Sequence, residues 1–235
     1  MEILVTGSNG YLGSELIKKI DNNHHIIRYD IANNQDILNY EQLNNAMKGC
    51  DIVVHLAAIR GPDDTKTFEN YFDLNDRGTL NIAKACVENN IKRLIYASST
   101  GYYGVEIGIP YVKPVAESNP IITQHIKESN LNCRDCDVAY STSKVIAEQI
   151  LANFGLRKKF QTIILRFGPI GPKLGEKWIL DGISLSINNA VQAIKLSINT
   201  DKELWYEAFT ITDEVPNVDI SKAKEILGYK PNQNE

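Results

Sequence analysis

The sequence is poor in cysteine and has no long apolar run, and both shortages narrow the class of protein. The four cysteines are Cys50, Cys86, Cys133 and Cys136, and the sequence shows no secretory signal, which would be a charged segment followed by an apolar one. Free thiols are therefore expected rather than a disulfide framework. No apolar run approaches the roughly 20 residues that a membrane helix needs. We expect a cytoplasmic protein with no membrane partner.

Basic residues are also fewer than acidic ones. The chain has 25 Lys and Arg against 29 Asp and Glu, which gives a net charge of −4. With no long basic run, the balance argues against a nucleic-acid partner. The 235 residues, 43% of them hydrophobic and 23% charged, are typical of one globular unit with a sizeable core.

The stretch 3–13, ILVTGSNGYLG, predicts a strand, a tight turn and the start of a helix. Gly7 and Gly10 tolerate a sharp turn with a closely approached backbone, and Gly13 lets the helix lie against the strand. A helix that begins in such a turn offers free N–H groups to a pyrophosphate. The spacing G-x-x-G-x-x-G departs from the common G-x-G-x-x-G, and a glycine triplet also occurs in ordinary strand-helix turns, so the surrounding pattern decides.

Asp30 stands where a dinucleotide site needs an acidic residue. It ends the second predicted strand, about 20 residues after the glycine turn, where a carboxylate binds ribose hydroxyls. The alternative is an ordinary surface turn residue. A carboxylate at this point repels a 2′-phosphate, so the sequence favours NAD over NADP.

Strands and helices alternate along the rest of the chain. The pattern predicts helices over 11–20, 40–48, 68–89 and 140–154, a very short third strand at Asp36 and Ile37, and further strands over 51–58, 93–97 and 208–212. His55, inside an apolar strand, is interpreted as a core residue in preference to a ligand contact. The alternation predicts an α/β fold.

Tyr140 and Lys144 are spaced to share one face of their helix. A phenol has an ordinary pKa near 10, and a nearby ammonium lowers that pKa by favouring the charged form. Ser99 follows the strand before them, where its hydroxyl either caps the next turn or holds a substrate hydroxyl. Tyr-x-x-x-Lys is common on helices, and its place after Ser99 and a dinucleotide turn makes it specific here.

Taken together, these residues resemble the extended short-chain dehydrogenase/reductase superfamily, in its NAD-dependent epimerase/dehydratase family. The matching segments are 6–13 (TGSNGYLG), Asp30, 36–37 (DI), 55–58 (HLAA), 75–81 (NDRGTLN), 96–99 (YASS), 103–104 (YG), 140–144 (YSTSK), 165–169 (LRFGP) and 227–231 (LGYKP). The resemblance implies a Rossmann-type doubly wound parallel sheet with a small C-terminal substrate-binding part. The predicted boundaries are an NAD-binding domain over 1–170, with an insertion at about 121–138, and a substrate-binding part over 171–235 of the same globular unit.

The resemblance also implies roles for individual residues. Those assigned to NAD binding are Gly7, Asn9, Gly10, Tyr11, Leu12 and Gly13 at the pyrophosphate turn, Asp30 at the adenosine ribose, Asp36 and Ile37 at the adenine, and Leu56, Ala57, Ala58 and Phe167 along the cofactor. Asn75 anchors the catalytic geometry, and Tyr140 is the acid/base. Lys144 lowers the pKa of Tyr140 and binds the nicotinamide ribose. Ser99 hydrogen-bonds the reacting hydroxyl or carbonyl.

Three departures from the family pattern shape the expected function. Phe167 follows Arg166 where the family has an asparagine, and Thr100-Gly101 replace the Asp-Glu pair of the dehydratases, which argues against dehydration. Only residues 172–207 separate Gly171 from the next predicted strand. That shortness suggests a smaller substrate, as in the compact uronate dehydrogenases, or a second copy of the chain that completes the pocket as a homodimer.

The resemblance therefore predicts NAD-dependent hydride transfer at a hydroxyl of a sugar or nucleotide sugar, as an oxidoreductase or epimerase. Two alternatives stay open: a compact, uronate-like dehydrogenase of sugar acids, and a non-catalytic dinucleotide-binding regulatory protein on the same fold. The presence of Ser99, Tyr140 and Lys144 favours an enzyme.

A Cys-x-x-Cys pair, Cys133 and Cys136, lies in the predicted insertion. Such a pair supplies two of the four ligands of a structural zinc, and the sequence has no second pair. His125 is the only other nearby candidate ligand. We expect no metal site, and we interpret the insertion as a lid on the substrate side of the pocket.

Overall fold

The computed structural model describes residues 1–20, 23–107, 111–122, 133–171 and 178–232. Its strands are β1 (Glu2–Thr6), β2 (His25–Tyr29), β3 (Ile52–His55), β4 (Arg93–Ser99), β5 (Gln161–Phe167) and β6 (Glu207–Ile211). They form one sheet in the order β2-β1-β3-β4-β5-β6, and each neighbouring pair is parallel. The predicted parallel α/β sheet is therefore confirmed.

Helices cover both faces of this sheet. They are α1 (Tyr11–Lys19), α2 (Tyr40–Ala46), α3 (Phe68–Tyr71), α4 (Gly78–Glu88), α5 (Asp135–Gly155), α6 (Ile187–Asn199) and α7 (Ser221–Leu227). Alternate strand residues enter two different cores: Ile3 and Val5 pack with α1 and α6, whereas Leu4 packs with α2, α4 and α5. Burial of both faces explains why the central strands β1 and β3 are mostly apolar.

The strand order reverses between β1 and β3. From β1 the chain passes to β2 on one side and then returns to β3 on the other, so the two crossovers leave β1 in opposite directions. Such a point opens a crevice at the carboxyl ends of the strands, where open α/β sheets bind their ligands. The glycine turn that follows β1 opens into this crevice.

The prediction of a short third strand at Asp36 and Ile37 is wrong. Neither residue lies in a strand, and the described part of the sheet ends at β2. The Tyr29 hydroxyl donates to the Asp36 carbonyl at 2.8 Å, and the Asp36 N–H donates to Gln42 Oε1 at 3.1 Å. Side chains thus satisfy the backbone groups that would have paired with a neighbouring strand.

Two predicted helices differ from the observed ones in ways that affect the site. The predicted helix over 68–89 contains α3 and α4 joined by a π-helical turn, Phe72–Arg77. Helix α5 begins at Asp135 instead of Tyr140, because Asp137 accepts a hydrogen bond from the Arg134 N–H at 2.9 Å and caps the helix. The end of the predicted insertion at about 121–138 is therefore helical, whereas residues 123–132 lie outside the described residues.

The C-terminal part adds a strand to the sheet. Strand β6 pairs with β5 along Ile163–Phe167, and α6 packs against α1. The division at residue 170 remains a prediction. Among the described residues, none of the helices has both the length and the apolar character that crossing a bilayer requires.

Candidate active site

Five groups of predicted site residues lie at the carboxyl ends of five adjacent strands. Asp30 follows β2, the glycine turn follows β1, residues 56–58 follow β3, Ser99 ends β4 and Phe167 ends β5. Parallel strands bring these ends to one edge of the sheet. At a strand spacing of about 4.8 Å, five strands span about 19 Å, so the edge offers room for an elongated ligand.

The glycine turn is tight because backbone approaches backbone. Gly7 has φ +67°, and a Cβ there would lie 2.8 Å from the Ala57 nitrogen of the strand end next to it. A Cβ on Gly13 would overlap the Gly7 carbonyl oxygen. Gly10 is the N-cap of α1 and has no side chain to cap the helix, whose first turn contains no acidic residue. The predicted conformational roles of these glycines are therefore seen in the structure.

Asp30 is buried against the glycine turn and is not an ordinary surface residue. Its Oδ2 accepts from the Asn9 N–H at 2.8 Å and its Oδ1 from the Ala32 N–H at 2.9 Å. Asn9 Nδ2 also donates to Asn33 Oδ1 at 3.2 Å. A carboxylate oxygen accepts more than one hydrogen bond, so Asp30 can hold the turn and still accept from ribose hydroxyls.

The remaining residues that were predicted to bind the cofactor differ in how deeply they are buried. Leu56, Ala57 and Ala58 are half-buried, and the N–H groups of Leu56 and Ala57 both donate to Thr6 Oγ1 at 3.2 Å. Tyr11 and Leu12 open α1, and Phe167 is buried at the end of β5. Ile37 is buried against Gly78 of α4, whereas Asp36 is half-buried and its Oδ1 accepts from the Leu38 N–H.

His55 is a core residue, as the sequence favoured. Hydrogen bonds join its Nδ1 to Thr6 Oγ1 at 2.8 Å and its Nε2 to Thr79 Oγ1 at 3.1 Å. Burial, together with the charge of Lys144, lowers the pKa of His55 to about 3. The imidazole therefore stays neutral and links β1, β3 and α4.

Lys144 and Tyr140 are held together in a buried corner between α5 and β4. Lys144 is only 4% exposed, and its Nζ donates to the Ala97 carbonyl at 3.0 Å and to the Tyr96 hydroxyl at 3.4 Å. The same Nζ lies 5.7 Å from the centre of the Tyr140 ring. At this separation in a buried environment an ammonium stabilises a negative charge on the phenol.

Ser99 and Asn75 flank that pair. Ser99 Oγ accepts from the Gly101 N–H at 3.1 Å, so the hydroxyl caps the turn after β4, one of the two uses the sequence allowed. Asn75, in the π-helical turn, accepts from the Ile59 N–H at 2.8 Å and donates to Ser143 Oγ at 2.9 Å. It thereby joins the segment after β3 to the residue before Lys144, in keeping with an anchoring role. π-Helical turns occur often at functional sites.

Sequence reasoning missed an ion pair behind the site. Arg166 and Glu148 are both buried, their side-chain N and O atoms lie 2.7 Å apart, and Arg166 also donates to the Tyr103 hydroxyl at 2.7 Å. The Ser98 hydroxyl donates to Glu148 at 2.6 Å. Glu148 stands four residues after Lys144 on α5, a spacing that could have signalled a further functional position on the same helix face.

Asp76 was also missed. It follows Asn75 in the π-helical turn, is 1% exposed, and has no hydrogen-bond partner for either carboxyl oxygen among the described residues. Burial raises its pKa to about 7, although the charge of Lys144 opposes the shift. Its place within the segment 75–81 could have drawn attention to it, but a charged residue on a helix usually faces solvent.

The two cysteines of the predicted lid lie at the start of α5. Cys136 is buried beside Tyr140, and its Sγ donates to Asp64 Oδ1 at 3.1 Å. Cys133 instead packs against the core that contains Ile3 and Val5. No group of three potential metal ligands occurs in the parts of the chain that the structure describes. His125 lies outside the described residues, so the lid remains a prediction.

Comparison with known proteins agrees with this geometry. A family model described as the NAD dependent epimerase/dehydratase family matches residues 3–213, which confirms the predicted family. The N-acetyl-alpha-D-glucosaminyl-diphospho-ditrans,octacis-undecaprenol 4-epimerase of Escherichia coli O157:H7 is 31% identical over 112 residues, which are 44% of this chain and 34% of that protein. This chain thus spans about a third of that relative's length.

Two further matches extend over nearly the whole chain. The UDP-glucose 4-epimerase of Vibrio cholerae is 26% identical over an alignment of 302 residues that covers 98% of this chain and 91% of that protein. Because the alignment is longer than the 235 residues of the chain, that relative contains segments missing here. The crystal structure of UDP-glucuronic acid 4-epimerase from Bacillus cereus in complex with NAD has a TM-score of 0.78 at 20% identity, covers 99% of this chain and 94% of that one, and shares the fold.

Proposed function

The chain belongs to the NAD-dependent epimerase/dehydratase family, and on that premise we propose that it is an NAD-dependent oxidoreductase or epimerase that acts on a hydroxyl of a sugar or nucleotide sugar. The observation that carries the proposal is the Lys144 ammonium, buried within 5.7 Å of the Tyr140 ring. Ser99 and the glycine turn lie at the same edge of the sheet. A buried ammonium is costly, and activation of a phenol explains why it is kept there.

The residues present fit NAD. Gly7 and Gly13 let the turn pack backbone against backbone, and Gly10 begins α1 with no side chain to cap it, which leaves N–H groups at the start of α1 for a pyrophosphate. Ser8 Oγ, in the middle of this turn, is buried and has no hydrogen-bond partner among the described residues. Asp30 supplies the carboxylate for the adenosine ribose. NAD, when bound, would supply the acceptor for a hydride.

The side chains around Tyr140 divide the proton chemistry among them. Tyr140 removes the proton from the substrate hydroxyl as general base, and it returns the proton as general acid in the reverse direction. Lys144 lowers the pKa of that phenol by its charge. Ser99 hydrogen-bonds the reacting oxygen. Asn75 contacts α5 next to Lys144 and holds the helix in register with the end of β3.

The enzyme hypothesis is favoured over a non-catalytic dinucleotide-binding protein. A regulatory protein needs the glycine turn and Asp30 but gains nothing from a buried ammonium beside a phenol. Mutual burial of Tyr140 and Lys144 with bonds to β4 instead indicates a site kept for proton transfer.

The substrate class has a second candidate, a sugar acid without a nucleotide. Strand β6 and helix α6 are part of the sheet and its cover, which leaves few residues after Gly171 to form a substrate lobe. The Vibrio cholerae relative carries additional segments. A second copy of the chain that completes the pocket would reconcile this shortness with a nucleotide sugar.

The substitution Tyr140→Phe tests the proposed chemistry. It removes one hydroxyl and keeps the buried ring, so the fold and NAD affinity should be nearly unchanged. Turnover should fall by about 10²–10⁴-fold, the usual contribution of a positioned acid or base. The assay measures NADH formation and 4-epimerisation with UDP-glucose, UDP-glucuronic acid and free glucuronic acid as the probes.

Tyr40→Phe is the matched control, because it removes a phenol hydroxyl that bonds to Glu88 far from the sheet edge. It should keep full turnover. If Tyr140→Phe turns over any of these probes at the wild-type rate, the proposed role of Tyr140 is wrong. Turnover of free glucuronic acid alone would assign the sugar-acid candidate.

A further inference from the structure

Tyr71 is a buried tyrosine that the proposed reaction does not use. It ends α3 and is 0% exposed. It belongs to a small apolar cluster that is separate from the two cores on the faces of the sheet. The buried members of this cluster are Tyr71, Cys136, Ala139 and Tyr140, and Ile59 packs against them. The proposed acid/base therefore has packing partners of its own, supplied by α3, α5 and the segment after β3.

The ring of Tyr71 meets the ring of Tyr140 edge-on. The ring centres lie 6.3 Å apart and the ring planes are inclined by 64°. Aromatic pairs favour this edge-to-face arrangement, which defines the orientation of one ring relative to the other. Because both rings are buried, Tyr71 limits how far the ring of Tyr140 can turn or shift.

The hydroxyl of Tyr71 holds residues 59–64, the β3 loop, in place. It accepts a hydrogen bond from the Asp63 N–H at 2.8 Å and donates to the Gly61 carbonyl at 3.1 Å. Burial raises the pKa of Tyr71, so the phenol stays protonated and can donate at neutral pH. These two bonds fix the middle of the β3 loop, which continues from the predicted cofactor residues 56–58.

Other contacts tie the β3 loop to its surroundings less firmly. Asp64 accepts from Arg134 Nη1 at 2.8 Å and from Cys136 Sγ at 3.1 Å. The side chains of Arg134 and Asp64 are 56% and 67% exposed, and an exposed ion pair contributes little because water screens it. A thiol is a weak donor. Asn75 holds the beginning of the loop. Tyr71 is thus the buried residue that links the middle of the loop to the ring of Tyr140.

We propose that Tyr71 is a positioning residue of the active site, whose ring sets the orientation of Tyr140 and whose hydroxyl holds the β3 loop beside it. The inference rests on the proposed role of Tyr140 as the acid/base. Proton transfer needs the phenol oxygen within hydrogen-bond reach of the reacting hydroxyl, and a displacement of about 1 Å can cost about 10²-fold in rate. Tyr71 acts through Tyr140 and transfers no proton itself.

Two substitutions separate the ring of Tyr71 from its hydroxyl. Tyr71→Phe keeps the edge contact and removes both loop bonds, so kcat should stay near the wild-type value while hydrogen exchange at the Asp63 amide becomes faster. Tyr71→Leu also removes the ring, so kcat should fall by about 10- to 100-fold. NAD affinity should be unchanged in both variants. The assay uses whichever of UDP-glucose, UDP-glucuronic acid and free glucuronic acid the wild type turns over.

The motion of the Tyr140 ring gives a second measurement that needs no substrate. Ring-labelled tyrosines are observed by NMR in the unliganded full chain, and the Tyr140 signals are identified by their loss in Tyr140→Phe. The flip rate of the Tyr140 ring should rise by about 2- to 10-fold in Tyr71→Leu, the effect of losing one edge-to-face contact. It should keep the wild-type value in Tyr71→Phe.

Tyr229→Leu is the matched control. Tyr229 is equally buried and its hydroxyl donates to the Thr212 carbonyl at 3.0 Å, but it packs in the core that contains Ile3 and Val5. This substitution removes the same atoms elsewhere in the fold and should leave both kcat and the flip rate of Tyr140 unchanged. Urea unfolding checks that every variant is folded, and Tyr71→Met, which also removes the ring, replaces Tyr71→Leu if the latter does not fold.

The inference is overturned if either kcat or the flip rate of Tyr71→Leu equals that of wild type, or if Tyr71→Phe loses as much kcat as Tyr71→Leu. Unchanged exchange at Asp63 in Tyr71→Phe would overturn the role of the hydroxyl. The proposed function fails in a different way, by wild-type turnover of Tyr140→Phe. In that case the flip rates still decide whether Tyr71 orients the ring of Tyr140.

Discussion

The substitution Asp76→Asn should change how the free energy of unfolding depends on pH. Burial raises the pKa of Asp76 from an ordinary value of 3.8 to about 7 in the folded chain. A raised folded pKa means that the carboxyl favours the folded state at acidic pH and loses that contribution as pH rises through 7. Asparagine has nearly the same shape and does not titrate.

The magnitude follows from the two pKa values. The carboxyl's contribution to the free energy of unfolding should decrease by about 2.5 kcal/mol between pH 5 and pH 8. Asp76→Asn lacks that decrease, so the variant should gain stability relative to wild type by this amount over the same interval. Urea unfolding of both proteins at pH 5, 6, 7 and 8, without cofactor, measures the difference.

Asp73→Asn is the control, because this half-buried carboxylate is paired with Arg77 and its substitution should give a nearly constant difference across the interval. The reasoning fails if the stability difference between Asp76→Asn and wild type does not change from pH 5 to pH 8. That result would mean that the carboxyl is ionised in the folded chain throughout and has a partner or solvent of its own.

Three further predictions concern the cofactor and the ion pair behind it. NAD should raise the Tm more than NADP at equal concentration, because Asp30 repels a 2′-phosphate, and equal shifts would contradict this. Lys144→Met should lower both turnover and NAD affinity, measured by steady-state kinetics and calorimetry. Unchanged affinity would mean that Lys144 acts only on Tyr140 and does not contact NAD. Arg166→Met should cost about 3–5 kcal/mol in urea unfolding, because it leaves Glu148 buried without its partner. A loss below about 1 kcal/mol would show that water reaches Glu148.

The parts of the fold that the sequence predicted well are those set by local pattern. Runs that are mostly apolar, such as 52–55 and 93–97, form strands because a strand buried on both faces needs apolar residues at most of its positions. The conformational roles of Gly7 and Gly13 were predicted correctly because they depend on the absence of a Cβ, which the residue type alone reveals. Asp30 followed from its distance to that turn.

The parts that the sequence did not predict depend on contacts between distant segments. Asp36 and Ile37 looked like a strand by composition, but the Tyr29 hydroxyl and the Gln42 side chain take the backbone groups that a strand would use. Asp76 is buried because a π-helical turn rotates this part of the helix. The residue pattern does not predict such a turn.

The same long-range contacts explain how the proposed catalytic pair is held. Helix α5 carries Tyr140 and Lys144, and it is attached on opposite sides by two buried contacts: Ser143 accepts from Asn75 at 2.9 Å, and Glu148 binds Arg166 of β5. The Lys144 bond to the Ala97 carbonyl adds a third attachment, to β4. Proton transfer requires a base within hydrogen-bond reach of the reacting hydroxyl, and small displacements cost much of the rate. Attachment of one helix to three separate segments therefore places the phenol by the packing of the whole sheet edge, while the loops that choose the substrate remain free to differ.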